Sequence, residues 1–553
     1  MPNMVNERSR VLLGCALSLW LALNLLQAGL TALSGDEAYY WVYSRNLAWG
    51  YFDHPPLVAL SIAAGTELLP GEWGVRLFTV LGGGVALVVL WLLASRPRAK
   101  VFLPVLLAIP AFHVSGLLAT PDAPLLLMQA LFWLVLAAYM RQPTRGWALL
   151  LGVLSGLLLL AKYHGVLIVG FAAMGLFLTG YRRGWWLVVL AAVVVFAPHV
   201  YWQWLHEFVT WRFHLGGRPA TGFQWIYPLG YPFETLLLLG LGLPWLLTRP
   251  QVTPTQVPAE VHLTRILYLT GVGILLFFGL MTLRGRVEPH WVSAAAFPLV
   301  AAYFRRRPSL TWGDFRLPHR LALGLSLLFI LAVRVYILLP PIGDGKPLLA
   351  DFHWASRFVV PLSREAGDRP VVFQNSYQMP ALYTFYTGKP AFAYANAHHR
   401  LSQYDLQDWH SLLRGRTVVF IENWPDPQAR TLPLPGGGDL RLREQEAWCS
   451  YGQVNLRPAN LKVFVGDSLT FRVDKLPIAC SDSVHWTTQW RQGPDLQYIT
   501  RQTLPAEALG QLEQIRLAVP PMPGKYRVTV GLVPPGHPEG LNGGSYTVEV
   551  YAN

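Results

Sequence analysis

Two adjacent carboxylates, Asp36 and Glu37, follow the first apolar run in the segment Gly35-Asp36-Glu37-Ala38-Tyr39-Tyr40-Trp41. A carboxylate placed there could take the proton of an attacking hydroxyl. It could also steady positive charge developing on a sugar's anomeric carbon during transfer. The same pair could instead cap the helix that follows, because acidic groups favour a helix N-terminus. Asp122, flanked by Pro121 and Pro124, poses the same choice between an N-cap and a second acid. If Asp36 and Asp122 face one another, they could hold a divalent cation such as Mg²⁺ or Mn²⁺, and the sequence leaves metal use open. His54, in Trp49-Gly50-Tyr51-Phe52-Asp53-His54-Pro55-Pro56-Leu57, could donate to a phosphate or sugar hydroxyl, or simply stack on its aromatic neighbours. Opposite charge comes from Lys162, in Lys162-Tyr163-His164, and from Arg284 and Arg286, in Arg284-Gly285-Arg286-Val287-Glu288-Pro289-His290-Trp291. A departing phosphate leaves as an anion and needs cations more than a proton donor. An arginine fork suits phosphate oxygens, and a lysine acts as a point charge. The plainer reading of these cations is contact with lipid headgroups. The catalytic candidates are therefore Asp36 and Asp122. The substrate-contact candidates are Glu37, Tyr39, His54, Lys162, His164, Arg284, Arg286, Glu288 and His290.

Apolar runs must position these residues. Of 553 residues, 53% are hydrophobic and only 14% charged, against about 25% charged in globular domains. The apolar excess is concentrated in the first 340 residues. Spans are expected near 11–30, 76–95, 101–119, 123–140, 147–161, 165–180, 185–204, 230–248, 266–283, 290–304 and 318–339, about eleven in all by the length a bilayer requires. Arg8 and Arg10 before the first run resemble a signal-peptide start, but many spans follow and no small-residue cleavage site stands out, so a retained first helix is expected. Basic residues recur at Arg96/Arg98/Lys100, Arg141/Arg145, Arg182-Arg183, Arg249/Arg265 and Arg305-Arg306-Arg307. With Arg8 and Arg10 they fall on alternate sides of successive spans. Basic loops mark the cytoplasmic face, so a cytoplasmic N-terminus and an external C-terminal region are expected. The external segments are then 31–75, 120–124, 162–164, 205–229 and 284–291, which hold every candidate above. The net charge of +13 is explained by these loops. Nucleic-acid binding is set aside, because no basic run with interleaved aromatics stands apart from a span.

The tail changes character. Residues 341–439 alternate short β-rich runs with helix-compatible stretches, which predicts a small α/β region. Residues 440–553 read as strands separated by Gly/Pro turns, which predicts a β-sandwich. Cys15 lies in the first apolar run, where packing explains it. Cys449 and Cys480 lie in the tail, where an external location would permit pairing. No Cys/His zinc spacing occurs.

The ordered set Asp36-Glu37-Ala38-Tyr39-Tyr40, His54-Pro55-Pro56-Leu57, Thr120-Pro121-Asp122-Ala123-Pro124, Ala161-Lys162 and Glu288-Pro289-His290-Trp291 resembles GT-C-type glycosyltransferases of the protein mannosyltransferase and aminoarabinose (lipid A) transferase group. The segment His399-Arg400-Leu401-Ser402-Gln403-Tyr404-Asp405 resembles one met in bacterial members. The resemblance covers residues 8–340 well and 345–424 loosely. It implies a GT-C-like polytopic fold in a bacterial inner membrane and a polyprenyl-phosphate-linked sugar donor. It also implies inversion at the anomeric carbon and a lipid, glycan or protein acceptor. Asp36 and Asp122 stand where the group has its loop aspartates. Many aminoarabinose transferases have Lys-Pro-Pro where this chain has His54-Pro55-Pro56. Two other readings stand beside this one. A transporter or flippase of a lipid-linked saccharide would place ionisable groups near the membrane midplane, where these spans are almost free of them; Arg334 is the nearest exception. A membrane-anchored carbohydrate-binding protein would leave the polar loops without a purpose.

Overall fold

The computed structural model describes residues 7–217, 223–248, 257–339, 349–395, 400–422, 429–450, 454–475, 483–492, 495–505, 514–534, 536–537, 543 and 545–552. The chain forms two compact units, Met1–Pro340 and Pro341–Asn553.

The first unit is helical. In chain order it contains α1 (Glu7–Leu30), α2 (Gly35–Ser44), α3 (Leu57–Leu68), α4 (Gly71–Leu93), α5 (Ala99–Leu107), α6 (Pro110–Ser115), α7 (Asp122–Arg141) and α8 (Arg145–Ala161). There follow α9 (Gly165–Leu178), α10 (Trp185–Leu205), α11 (Val209–Arg212), α12 (Ile226–Leu239), α13 (Leu243–Leu246), α14 (Pro258–Met281), α15 (Ala296–Arg305) and α16 (Leu317–Tyr336). Among the described residues, α1, α4, α7, α10, α14 and α16 are long and apolar enough to cross a membrane, and α3, α8 and α9 are shorter apolar helices. The protein is a polytopic helical membrane protein. Helices α4 and α7 are mostly buried, whereas α1, α10 and α16 turn most of their apolar side chains outward. In water such surfaces would be costly; in lipid they are the expected exterior. Cys15 lies on the outward surface of α1, exposed rather than packed.

Several expected spans are broken, each for a local reason. The span at 101–119 stops at Leu107 and restarts at Pro110, a residue suited to the first position of a new helix. The span at 230–248 breaks at Gly240, whose φ of 81° is left-handed and whose α-hydrogen faces the Ala108 carbonyl. The span at 290–304 begins as a 3₁₀ helix, Pro289–Ala295, before α15. The expected loop 31–75 instead carries α2 and α3, and α4 begins at Gly71. Helices α3 and α4 approach through Gly65 and Gly74, where a side chain on Gly65 would strike the Gly74 carbonyl.

The second unit contains α17 (Trp354–Ala366), β1 (Val371–Gln374), α18 (Gln378–Thr387), β2 (Ala391–Tyr394), α19 (Trp409–Leu413), β3 (Val418–Glu422), β4 (Arg430–Pro433) and β5 (Asp439–Gln445). Strands β2, β1 and β3 are parallel, and β5 and β4 continue the sheet antiparallel, in the order β2-β1-β3-β5-β4. Strands β1 and β3 are buried throughout and apolar up to their last residues, Gln374 and Glu422, as parallel strands usually are. The remaining strands are β6 (Asn455–Pro458), β7 (Lys462–Phe464), β8 (Ser468–Lys475), β9 (Ser483–Gln492), β10 (Asp495–Pro505), β11 (Gln514–Ala518), β12 (Gly524–Val533) and β13 (Ser545–Tyr551). They form sheets ordered β10-β9-β12-β13-β7 and β11-β8-β6, with Phe471, Trp486, Trp490 and Val528 in their core. The boundary expected at 439/440 falls inside β5, so residues 440–445 belong to the mixed sheet. Cys449 is buried and disulfide-bonded; Cys480 and His399 lie outside the described residues.

Candidate active site

The acidic pair divides its labour. Ser34 caps α2, and Glu37, three positions on, completes the reciprocal capping box. The Ser34 N–H donates to Glu37 Oε2 at 3.1 Å, and the Glu37 N–H donates to Ser34 Oγ at 3.3 Å. Glu37 is fully buried and also meets Arg76, which is fully buried as well. Arg76 Nε donates to Glu37 Oε1 at 2.7 Å and Nη2 to Oε2 at 2.6 Å. The other Arg76 N–H groups reach the carbonyls of Ala28 (2.8 Å), Thr31 (2.6 Å) and Ala32 (3.0 Å). The Ala119 N–H donates to Glu37 Oε1 at 2.9 Å. Burial alone would raise the Glu37 carboxyl, but the Arg76 guanidinium and these donors hold it below the usual carboxylate range. Glu37 thus ties the end of α1, the start of α2, the side of α4 and the chain entering α7 into one node. Asp36 sits one residue earlier on the first turn of α2 and is half-buried.

Asp122 and Lys162 form a second buried pair. Lys162 Nζ donates to Asp122 Oδ1 at 2.8 Å and Oδ2 at 2.7 Å, and Ser293 Oγ donates to Oδ1 at 3.1 Å. Asp122 opens α7, and Lys162 ends α8 in extended backbone, turning toward α9. The N-cap of α7 is Pro121, with Asp122 the first helical residue, so the N-cap reading of Asp122 does not hold. An ammonium occupies the place where a shared cation would sit on Asp122. Among the described residues no three His, Cys, Asp or Glu side chains gather as a metal site.

Histidines surround this pair. His164 packs edge-on against Phe278 (5.1 Å between ring centres) and against Trp291 (5.3 Å). Burial first, then the charges of Lys162, His290, His214 and His54, hold its imidazole well below the ordinary value. His290 also acts electrostatically on Asp122. His54 meets Tyr40 edge-on at 5.4 Å and lies 6.4 Å from His214. The surrounding frame is held by side-chain bonds between distant segments. Tyr43 hydroxyl donates to buried Asp53, and His214 Nε2 donates to the Asp53 carbonyl at 2.9 Å. His199 bridges the Tyr163 hydroxyl (2.8 Å) and the Trp49 carbonyl (2.6 Å). Gln203 Nε2 donates to Thr210 Oγ1 at 2.6 Å, and Thr210 passes the contact to the Tyr51 carbonyl at 2.8 Å.

The structure therefore gathers Asp122, Lys162, His164, His290 and His54 into one neighbourhood. Glu37 serves the scaffold. Tyr39 is buried and packs on Tyr40 and Tyr43 at 6.0 and 4.7 Å. Arg284 and Arg286 are exposed, and Arg286 Nε lies 3.7 Å from Glu288 Oε1. Sequence reasoning missed Arg76, Asp53, Tyr163, His199, Gln203, Thr210, His214 and Ser293. Arg76 had a readable signal, a lone charge inside an apolar helix. The others are ordinary polar residues whose partners lie far along the chain.

Residues 53–202 match the family model of dolichyl-phosphate-mannose-protein mannosyltransferases. A lipid A galacturonosyltransferase, RgtD, from Rhizobium johnstonii is 29% identical over 218 residues, covering 38% of this chain and 46% of that protein, less than half its length. The crystal structure of ArnT from Cupriavidus metallidurans bound to undecaprenyl phosphate superposes with a TM-score of 0.55 at 15% identity, covering 79% of this chain and 98% of ArnT. The apo form of the same ArnT gives a TM-score of 0.53 at 15% identity, covering 80% and 98%. At that identity the likeness speaks for the fold. The chain thus shares the fold of ArnT, and its residues 53–202 are similar to the protein mannosyltransferase family.

Proposed function

We propose that the protein is a membrane glycosyltransferase that moves a sugar from a polyprenyl-phosphate carrier to a lipid acceptor at the external face of a bacterial inner membrane. The N-terminus is then cytoplasmic and the second unit external, as the basic loops suggest. The observation that carries this reading is the buried Asp122–Lys162 pair, with histidines beside it, and the Ala119 N–H, three residues before Asp122, bonded to Glu37, the neighbour of the half-buried Asp36. The crystal structure of ArnT with undecaprenyl phosphate and the name of the galacturonosyltransferase relative support a lipid-linked donor and a lipid acceptor.

In the reaction the acceptor oxygen attacks the anomeric carbon from the face opposite the carrier. The bond from that carbon to the phosphate oxygen breaks, and the electron pair leaves with the polyprenyl phosphate. Asp36 takes the proton of a hydroxyl acceptor. Asp122 positions Lys162 and offsets its charge, so that Lys162 offers a fixed donor toward the phosphate. His54, His290, Arg284 and Arg286 add donors around the leaving group. A phosphate acceptor is already a nucleophile and would need less from Asp36. Glu37 cannot serve as the base, because both its oxygens are committed to Arg76, Ser34 and Ala119. An intramembrane transport pathway is less well supported, since Glu37, Asp122 and Lys162 all lie at helix ends.

The test is transfer from an undecaprenyl-phosphate-linked sugar to lipid A and to hydroxyl acceptors by purified protein. With a hydroxyl acceptor, Asp36→Asn should lower the rate by about 10²–10⁴-fold, the usual contribution of a positioned base, with melting temperature near wild type. A well-folded Asp36→Asn protein that transfers at the normal rate would sink the assignment.

A further inference from the structure

Among the described residues of the first unit, Arg76, Arg305 and Arg334 set guanidinium groups among the helices, and their surroundings differ in one respect. Arg305 is neutralised by Glu260. Arg76 is neutralised by Glu37. Arg334, two residues before the end of α16, is held only by neutral groups. Its Nη1 donates to Gln27 Oε1 at 2.5 Å, and its Nη2 donates to Asn24 Oδ1 at 2.9 Å and meets His113 Nδ1 at 3.0 Å. His113 Nε2 lies 2.9 Å from the Leu107 carbonyl and must donate to it, so Nδ1 is the acceptor and the ring is neutral. Asn24 Nδ2 and Gln27 Nε2 donate away, to the Trp20 and Arg334 carbonyls. Among the described residues no carboxylate pairs with Arg334. These bonds satisfy some of the guanidinium's donors and fix its plane, but they cancel none of its charge. They also leave the Nε–H and one Nη1–H for an outside acceptor.

The location says where that acceptor comes from. Arg334 is only half-buried. Around it the outward side chains are apolar: Leu23 and Leu26 on α1, Leu331 and Val335 on α16, and Leu338 just beyond. Such a frame takes an acyl or prenyl chain. The cluster lies where α1 and α16 end, on the same side of the helices as Glu37, since α1 leads into α2 there. A cation at the edge of the hydrocarbon, bordered by apolar surface, fits the phosphate of a lipid, and the arginine fork suits phosphate oxygens.

We propose that the end of the α1–α16 pair is a binding site for the phosphate of an anionic membrane lipid, with Arg334 as the charge and Asn24, Gln27 and His113 holding it in place. A phosphatidylglycerol headgroup and a polyprenyl phosphate share that chemistry. The site is separate from the Asp122–Lys162 pair and stands whether or not the protein transfers sugar.

The full-length protein in mild detergent can be titrated with phosphatidylglycerol, phosphatidylethanolamine or undecaprenyl phosphate and followed by native mass spectrometry. Wild type should retain one more phosphatidylglycerol or undecaprenyl phosphate than Arg334→Gln, with at least a tenfold weaker affinity in the variant and partial recovery in Arg334→Lys. Asn24→Asp supplies an internal counter-charge while keeping the arginine, and should abolish the preference for anionic over zwitterionic lipid. Loss of only the phosphatidylglycerol adduct assigns the site to a phospholipid, and loss of only the undecaprenyl phosphate adduct assigns it to the carrier. Equal retention of both anionic lipids by wild type, Arg334→Gln and Asn24→Asp overturns the proposal. If Arg334→Gln does not fold, wild type against Asn24→Asp decides it.

Discussion

His164 carries a pH signature that follows from where its ring sits. It lies between Phe278 and Trp291, close to Lys162 and three other histidines. Burial and those positive neighbours keep it neutral in the folded protein below the ordinary imidazole value. The unfolded chain takes a proton near pH 6.5, while the folded chain resists until the pH is far lower. Stability from this group is therefore present above about pH 6.5 and is lost as pH falls toward the folded value. Melting temperature should drop as the pH is lowered from about 7 to 5, and His164→Gln should flatten that slope. An unchanged slope in His164→Gln would place the acid sensitivity elsewhere. Asp36 and Glu37 show how far neighbours can differ: one turn of helix leaves one carboxylate half-buried and buries the other in a ring of donors.

At the scale of elements, the Glu37–Arg76 node decides the approach of α1, α2, α4 and α7. All five Arg76 N–H groups have acceptors, three of them carbonyls at the end of α1 and just beyond it. Replacing the pair by matched apolar groups could cost little, but removing one partner strands a buried charge, typically at about 3–5 kcal/mol. Arg76→Met should therefore lower melting temperature sharply and reduce transfer by displacing Asp36, whereas Arg76→Met with Glu37→Leu should recover much of the stability. Failure of the double variant to gain anything over the single would show that the arginine's carbonyl contacts, not the ion pair, dominate. The loop 49–54 is held to α10 and to the turn after it by His199, Gln203 and Thr210. Side chains from α10 and α11 thus fix a region that, read locally, is an aromatic loop followed by two prolines.

At the scale of the whole molecule, the two units differ in what stabilises them. The first exposes apolar helix faces suited to lipid. The second buries conventional cores, one in the mixed sheet and one in the sandwich. The division within the second unit matters for truncation. Removing residues 440–553 deletes β5, which pairs with β3, and Trp448, whose backbone bonds Arg416 and Gly415. Truncation after residue 439 should therefore yield little folded protein. Truncation after residue 450 keeps that strand and that tryptophan, and should leave sugar transfer measurable. Expression level and transfer assays on the two truncations check this; equal behaviour would mean that β5 is not needed for the sheet.

The sequence by itself determined the membrane class, most helix positions and the change of character near residue 340, because hydrophobic runs of bilayer length and strand-length alternation are local properties. It also brought forward Asp122, Lys162, His54, His164 and His290, because polar groups at the ends of apolar helices have few reasons to be there. It set Asp36 apart as the catalytic candidate and Glu37 as a supporting or substrate-contact one, but it could not show what holds Glu37. Its partners are Arg76, 39 residues away, and Ala119, 82 residues away. It likewise could not reveal that Asp122 and Lys162, 40 residues apart, meet as a buried pair, or that α5–α6 and α12–α13 break where they do. Ion pairs and helix breaks of this kind depend on which surfaces close on one another, and only the tertiary structure decides that.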